Sequence, residues 1–107
     1  MPHARYVVLH HTGIPIPHYD LLIDLDPDSP LVAARCSDWP PTAATKFQRL
    51  PDHRRIYLEY EGEISNNRGS VKRIAAGQCN VLFQQDDSIT LTTDSSFSIH
   101  LPPLVYY

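Results

Sequence analysis

The constraint that narrows the fold most is alternation of apolar and polar residues at every second position. In Tyr19-Asp20-Leu21-Leu22-Ile23-Asp24-Leu25-Asp26 the odd positions are apolar and three of the four even ones are acidic. A period of two is the period of a β-strand, so this segment predicts a strand with one buried face. The pattern returns in Ile56-Tyr57-Leu58-Glu59-Tyr60-Glu61-Gly62-Glu63-Ile64, with Ile56, Leu58, Tyr60 and Ile64 on one side and Tyr57 pointing away from it. Three shorter runs follow: Cys79-Val81-Phe83, Ile89-Leu91 and Phe97-Ile99-Leu101. Gln84-Gln85-Asp86-Asp87 and Thr93-Asp94-Ser95-Ser96 separate them, with the length and composition of hairpin turns.

Between Pro27 and Pro51 the reading changes. The segment carries Asp-Pro, Ser-Pro, Trp-Pro-Pro and Leu-Pro steps, one strand-like run from Leu31 to Arg35, and one place for a short helix, Thr42 to Leu50, with Thr42 as its cap. Short strands joined by tight turns, with one long Pro-rich connection, predict an all-β domain: a small, mainly antiparallel β-barrel spanning 1–107. At 107 residues the chain has room for one domain, and 42% hydrophobic residues suffice for a core.

Charge and cysteine content exclude several classes. Nine Lys and Arg against twelve Asp and Glu give a net charge of −3, so a uniformly basic nucleic-acid coat is ruled out. Seven of the nine cations nevertheless fall between Lys46 and Arg73, which concentrates positive charge enough for a local anion-binding patch. Cys36 and Cys79 are 43 positions apart without a C-x-x-C spacing, which argues against a disulfide framework or a cysteine zinc site. Met1-Pro2-His3-Ala4-Arg5 leads straight into Tyr6-Val7-Val8-Leu9, and no apolar run reaches membrane-spanning length. The expectation is a cytoplasmic protein with reduced thiols and no membrane contact.

Six histidines in so short a chain direct attention to chemistry. His18 and Asp20 sit two apart on the clearest strand, so both side chains leave the same face, about 6–7 Å apart at Cα. The stiff connector Gly13-Ile14-Pro15-Ile16-Pro17 can fold His10 or His11 back over that face. Two imidazoles and a carboxylate make a divalent-metal set with open coordination positions, as a catalytic site requires. A second cluster, Asp52-His53-Arg54-Arg55-Ile56-Tyr57, gathers an imidazole, two guanidiniums and a phenol. Arg68, Lys72 and Arg73 add a third basic element around Asn66-Asn67-Arg68-Gly69. A cation with nearby Arg and His is what phosphoryl chemistry needs: charge on nonbridging oxygens is neutralised and a proton is exchanged.

Taken together, His11, His18-Tyr19-Asp20, Asp52-His53, Tyr57, Tyr60-Glu61-Gly62-Glu63-Ile64 and Arg68-Gly69-Ser70-Val71 resemble, in order and in spacing, the 3′-phosphoesterase domain of bacterial DNA ligase D and its small stand-alone relatives. The resemblance covers about positions 5 to 77. It implies a small β-barrel that uses a divalent metal, typically manganese with zinc or another divalent ion as alternatives, held by His11, His18 and Asp20. It also implies His53 and Tyr57 as catalytic groups, and removal of a terminal ribonucleoside and then a 3′-phosphate from nucleic-acid ends during DNA repair. Arg54, Arg55, Arg68 and Lys46 are the expected phosphate contacts; nucleic-acid 3′ ends, a DNA ligase and other end-joining proteins are the expected partners. Where the family strand continues to an Arg, this chain carries Leu22, and Pro51 replaces an acidic residue ahead of Asp52-His53. The lost Arg motivates a second expectation, a weakened module that keeps the metal site and binds ends without turning them over.

Overall fold

A computed structural model describes residues 3–104; Met1, Pro2 and 105–107 lie outside the described residues. Among the described residues, eight antiparallel strands form one sheet. They are β1 (His3–Thr12), β2 (His18–Asp24), β3 (Leu31–Cys36), β4 (Gln48–His53), β5 (Gly62–Glu63), β6 (Ser70–Phe83), β7 (Ile89–Thr93) and β8 (Ser98–Leu101). The order across the sheet is β4-β3-β2-β1-β6-β7-β8, with β5 pairing against β6, and the sheet curls as a half-barrel. The all-β expectation is therefore met. Among the described residues no helix is long and apolar enough to cross a membrane.

Curling gives the sheet two apolar compartments. One gathers Tyr6 and Val8, Leu21 and Ile23, Ala34, Val81, Leu91, Ile99 and Leu101, drawn from six strands. The other gathers Val7 and Leu9, Leu22, Leu31 and Ala33, Val71, and Leu58. Adjacent residues of one strand point to opposite faces, so Val7 and Val8, or Leu21 and Leu22, serve different compartments. β2 is thus buried on both faces, and the single buried face expected for it is corrected: Leu22 is fully buried and Asp20 nearly so.

β6 reaches both compartments through a bulge. Val8 pairs with Ala75 but Leu9 pairs with Arg73, so Ile74 is the extra residue. One inserted residue reverses the parity of everything beyond it. Val71 therefore lies in the compartment of Leu9, while Cys79 and Val81, also odd-numbered, lie in that of Tyr6.

Two local expectations fail. No helix forms over 42–50: Thr42–Thr45 makes a turn, closed by Thr45 N–H donating to the Thr42 carbonyl at 3.0 Å, and Gln48 onward extends as β4. The predicted strand 56–64 is instead a 3₁₀ turn over Arg55–Leu58, with only Gly62 and Glu63 in strand. The apolar residues there obey period three as well as two. Tyr57 and Tyr60, three apart, both pack against the second compartment, and Leu58 is the residue of the turn that is buried. Tyr57 consequently faces the sheet rather than away from it. The two hairpin turns, by contrast, lie where alternation placed them, between β6 and β7 and between β7 and β8.

Candidate metal and phosphate site

β1 and β2 pair in a register that sets His11 opposite His18 and Leu9 opposite Asp20, and β3 continues the row by placing Arg35 opposite Asp20. His11, His18, Asp20 and Arg35 therefore leave one face of three neighbouring strands, above Leu9, Leu22 and Ala33. His10, the alternative ligand, leaves the opposite face and stacks on Tyr19 with ring centroids 4.6 Å apart.

Each site imidazole has one nitrogen tied to the backbone. His11 Nε2 lies 2.6 Å from the Arg68 carbonyl oxygen, and His18 Nδ1 lies 3.0 Å from that of Ile16. A carbonyl only accepts, so these nitrogens carry the ring protons and the other nitrogen of each neutral ring presents a lone pair. Those lone pairs converge on Asp20: His11 Nδ1 is 3.6 Å from Oδ2 and His18 Nε2 is 3.2 Å from Oδ1. Among the described residues, His18 Nε2 and Asp20 Oδ1 are both buried without a hydrogen-bond partner. Two buried acceptors facing each other are costly unless a positive charge sits between them.

A divalent cation meets that need. Donors about 2.0–2.2 Å from a shared ion lie roughly 3–3.5 Å from each other, and the three ligand atoms here all lie within 4.8 Å. The backbone carbonyls behind His11 and His18 are the outer partners that usually fix the orientation of metal-binding imidazoles. His11, His18 and Asp20 could thus hold a metal ion with little rearrangement.

Arg68 places its carbonyl on His11 through an unusual turn. Asn66 and Asn67 have φ of 63° and 57°, and Gly69 has φ of 81°. A Cβ at Gly69 would collide with the Thr12 carbonyl oxygen, so glycine is needed where this turn crosses the end of β1.

Beside the triad opens a cavity of about 580 Å³. Leu9 and Val71 floor it, and His11, Asp20, Arg35, His53, Arg54, Tyr57 and Arg68 line it. His53 stands at the end of β4, with Nδ1 3.0 Å from the Pro51 carbonyl and its ring edge-on to Tyr57 at 6.2 Å. Arg54 lies over the Tyr57 ring at 5.8 Å. Arg68 is steadied by Ser65, its Nε donating to the carbonyl at 2.9 Å. His53 and Tyr57, expected as catalytic groups, and the cations Arg54 and Arg68 therefore gather on one void with His11 and Asp20 of the candidate metal cluster, although they come from separate stretches of sequence.

Two expected phosphate contacts lie elsewhere. Arg55 donates to both Asp24 oxygens at 2.7 and 2.8 Å and to the carbonyls of Asp26 and Ser29, so its donors are committed to holding the β2–β3 loop against the 3₁₀ turn. That paired guanidinium lowers the Asp24 pKa below the ordinary carboxylate value. Lys46 lines a different cleft with Ile16, Pro17 and Phe47. Cys36 and Cys79 are free and buried, and burial pushes both thiols up to about 11.

Arg35 is the residue that sequence reasoning missed. Its Nε is buried without a hydrogen-bond partner among the described residues, 3.9 Å from Asp20 Oδ1. A lone Arg closing the apolar run Leu31-Val32-Ala33-Ala34 was the available signal.

Known protein families offer no match to the chain, and neither do curated proteins.

Proposed function

We propose that the protein is a divalent-metal-dependent phosphoesterase that processes nucleic-acid 3′ ends, removing a terminal ribonucleoside and then a 3′-phosphate. The observation that carries this reading is the convergence of two imidazole lone pairs and a carboxylate beside a cavity rimmed by Arg35, Arg54, Arg68 and His53. The resemblance to the ligase D 3′-phosphoesterase domain supplies the substrate class, manganese as the ion and a role in DNA repair, with a ligase or another end-joining protein as the next user of the trimmed end; the free thiols of Cys36 and Cys79 support a cytoplasmic setting.

A bound divalent ion would supply positive charge to the phosphoryl oxygens. The chain's own groups do the rest. Arg54, Arg68 and Arg35 bind nonbridging oxygens and orient the phosphate over the triad. His53, with its Nδ1 proton held on the Pro51 carbonyl, presents the Nε2 lone pair to take a proton from the attacking water, and the Tyr57 hydroxyl donates to the leaving oxygen or to the phosphate. Arg35 supplies a guanidinium on the site face, where Leu22 supplies none.

The buried Leu22 favours a second reading, a module that grips ends without turnover. Incubation with manganese and oligonucleotides ending in a 3′-ribonucleotide or a 3′-phosphate separates the two. Trimming by the wild type, reduced at least about 100-fold by His18→Ala, supports the enzyme. Salt-sensitive binding without product, weakened by the joint Arg54→Ala and Arg68→Ala change, supports the module. Neither trimming nor binding overturns both.

A further inference from the structure

The metal and phosphate cavity does not end at Tyr57. A second cleft of about 230 Å³ opens beside it and shares Arg54, Tyr57, Ile64 and Ser65 with it. Ile56 and Tyr60 complete its apolar lining. Its character differs from that of the cavity: two phenol rings edge-on at 5.9 Å, an isoleucine that is 59% exposed, and one guanidinium carbon over a ring at 5.8 Å. Tyr60 has its hydroxyl turned to the Glu63 carbonyl, so the ring offers its apolar surface.

An isoleucine so exposed on a turn whose buried anchor is Leu58 adds little to folding. It does give one wall of an aromatic slot. Planar heteroaromatic rings suit such a slot, because every base has a π-face that stacks on tyrosine or on a guanidinium plane regardless of its hydrogen-bonding edge. The slot also starts where a phosphate would be held, with Arg54 lining both voids. Phosphate and base of one nucleotide are joined through a single sugar, the spacing that two adjoining voids accommodate.

We propose that this cleft is a nucleobase subsite, so that the protein recognises the terminal nucleotide as a unit, phosphate in the cavity and base against Ile56, Tyr57 and Tyr60. The inference rests on the phosphoesterase reading for the placement of the phosphate. Stacking recognises bases without distinguishing them, so the four bases are accepted alike while a terminus without a base is disfavoured.

The test is a titration of the metal-free protein, labelled at isoleucine methyl groups, with a nucleoside 3′-monophosphate and separately with inorganic phosphate. The nucleotide is expected to bind about tenfold more tightly than phosphate and to move the Ile56 and Ile64 methyl resonances upfield by ring current. Phosphate alone should leave Ile56 unmoved. Ile56→Ala, a change at an exposed position, should remove much of the nucleotide's advantage and leave phosphate binding as it was. Equal affinities with no shift at Ile56 overturn the base subsite but leave the phosphate site standing. Binding of neither ligand overturns the phosphate site and the inference with it.

Discussion

The cavity has two unlike walls. One is the row His11, Asp20 and Arg35, with His18 packed behind Asp20, carried by three paired strands and fixed by register. The other is the segment from His53 to Tyr57, carried by the end of β4 and a single 3₁₀ turn. His18 and Asp20 are 6% exposed, whereas Arg54 is exposed and His53 and Tyr57 are only partly covered. In the first wall, position follows from many ladder hydrogen bonds. In the second it follows from Leu58 inserted in the apolar compartment and from Arg55 gripping Asp24. On the proposed reading, a site assembled this way would hold a cation rigidly and a phosphate with some freedom, which would suit a substrate that must enter and leave.

The largest effect expected is on the rigid wall. Asp20→Asn should weaken manganese binding by at least about 100-fold in calorimetric titration, because the charged ligand is lost. The same change should raise stability in the metal-free protein by about 1 kcal/mol in thermal unfolding, since the amide can donate to the orphaned His18 Nε2. A fall in metal-free stability would mean that the triad is already satisfied without a cation.

Next comes the anchor of the second wall. Leu58→Ala should cost about 2–4 kcal/mol in denaturant unfolding by leaving a void under the turn. It should also reduce oligonucleotide trimming far more than it reduces metal affinity. Equal losses in both would erase the distinction between the walls.

The smallest effect is at Arg55. Arg55→Ala should lower the melting temperature by several degrees at neutral pH, with manganese affinity unchanged. Asp24, whose pKa is lowered by Arg55, contributes stability that is complete above the ordinary value of 3.8 and is lost as pH falls through the lowered value. The gap between wild type and variant should therefore narrow as pH drops below 3.8, followed by melting curves across that range.

The same contrast decides what could be read from the residues. β2 declares itself because its alternation, its two-residue spacing of His18 and Asp20 and the stiff Gly13–Pro17 connector all act within a dozen positions. The second wall does not. Ile56, Leu58 and Tyr60 alternate like a strand, yet Tyr57 and Tyr60 answer to a period of three, and four residues are too few for one period to exclude the other. β4 hides for the opposite reason: Gln48-Arg49-Leu50-Pro51-Asp52-His53 has no alternation, and its pairing is dictated by β3. Arg35 could not be assigned because its role comes from register opposite Asp20, a relation between strands that no local window contains. The placement of Arg55 failed similarly, since its partner Asp24 is 31 positions away.

The bulge at Ile74 has a consequence for how such a chain tolerates change in length. On either side of it β6 belongs to different interiors, and the switch depends on counting one residue. Pairing that residue in register instead of bulging it would set Ile74 opposite Leu9 and turn Lys72 rather than Val71 and Arg73 toward the site, while the far half of the strand kept its place. Hairpin tips such as Gln84–Asp87 can gain or lose residues without such an exchange. Inheritance of this fold therefore places its strictest demand on the arithmetic of one strand, more than on the chemistry of any residue within it.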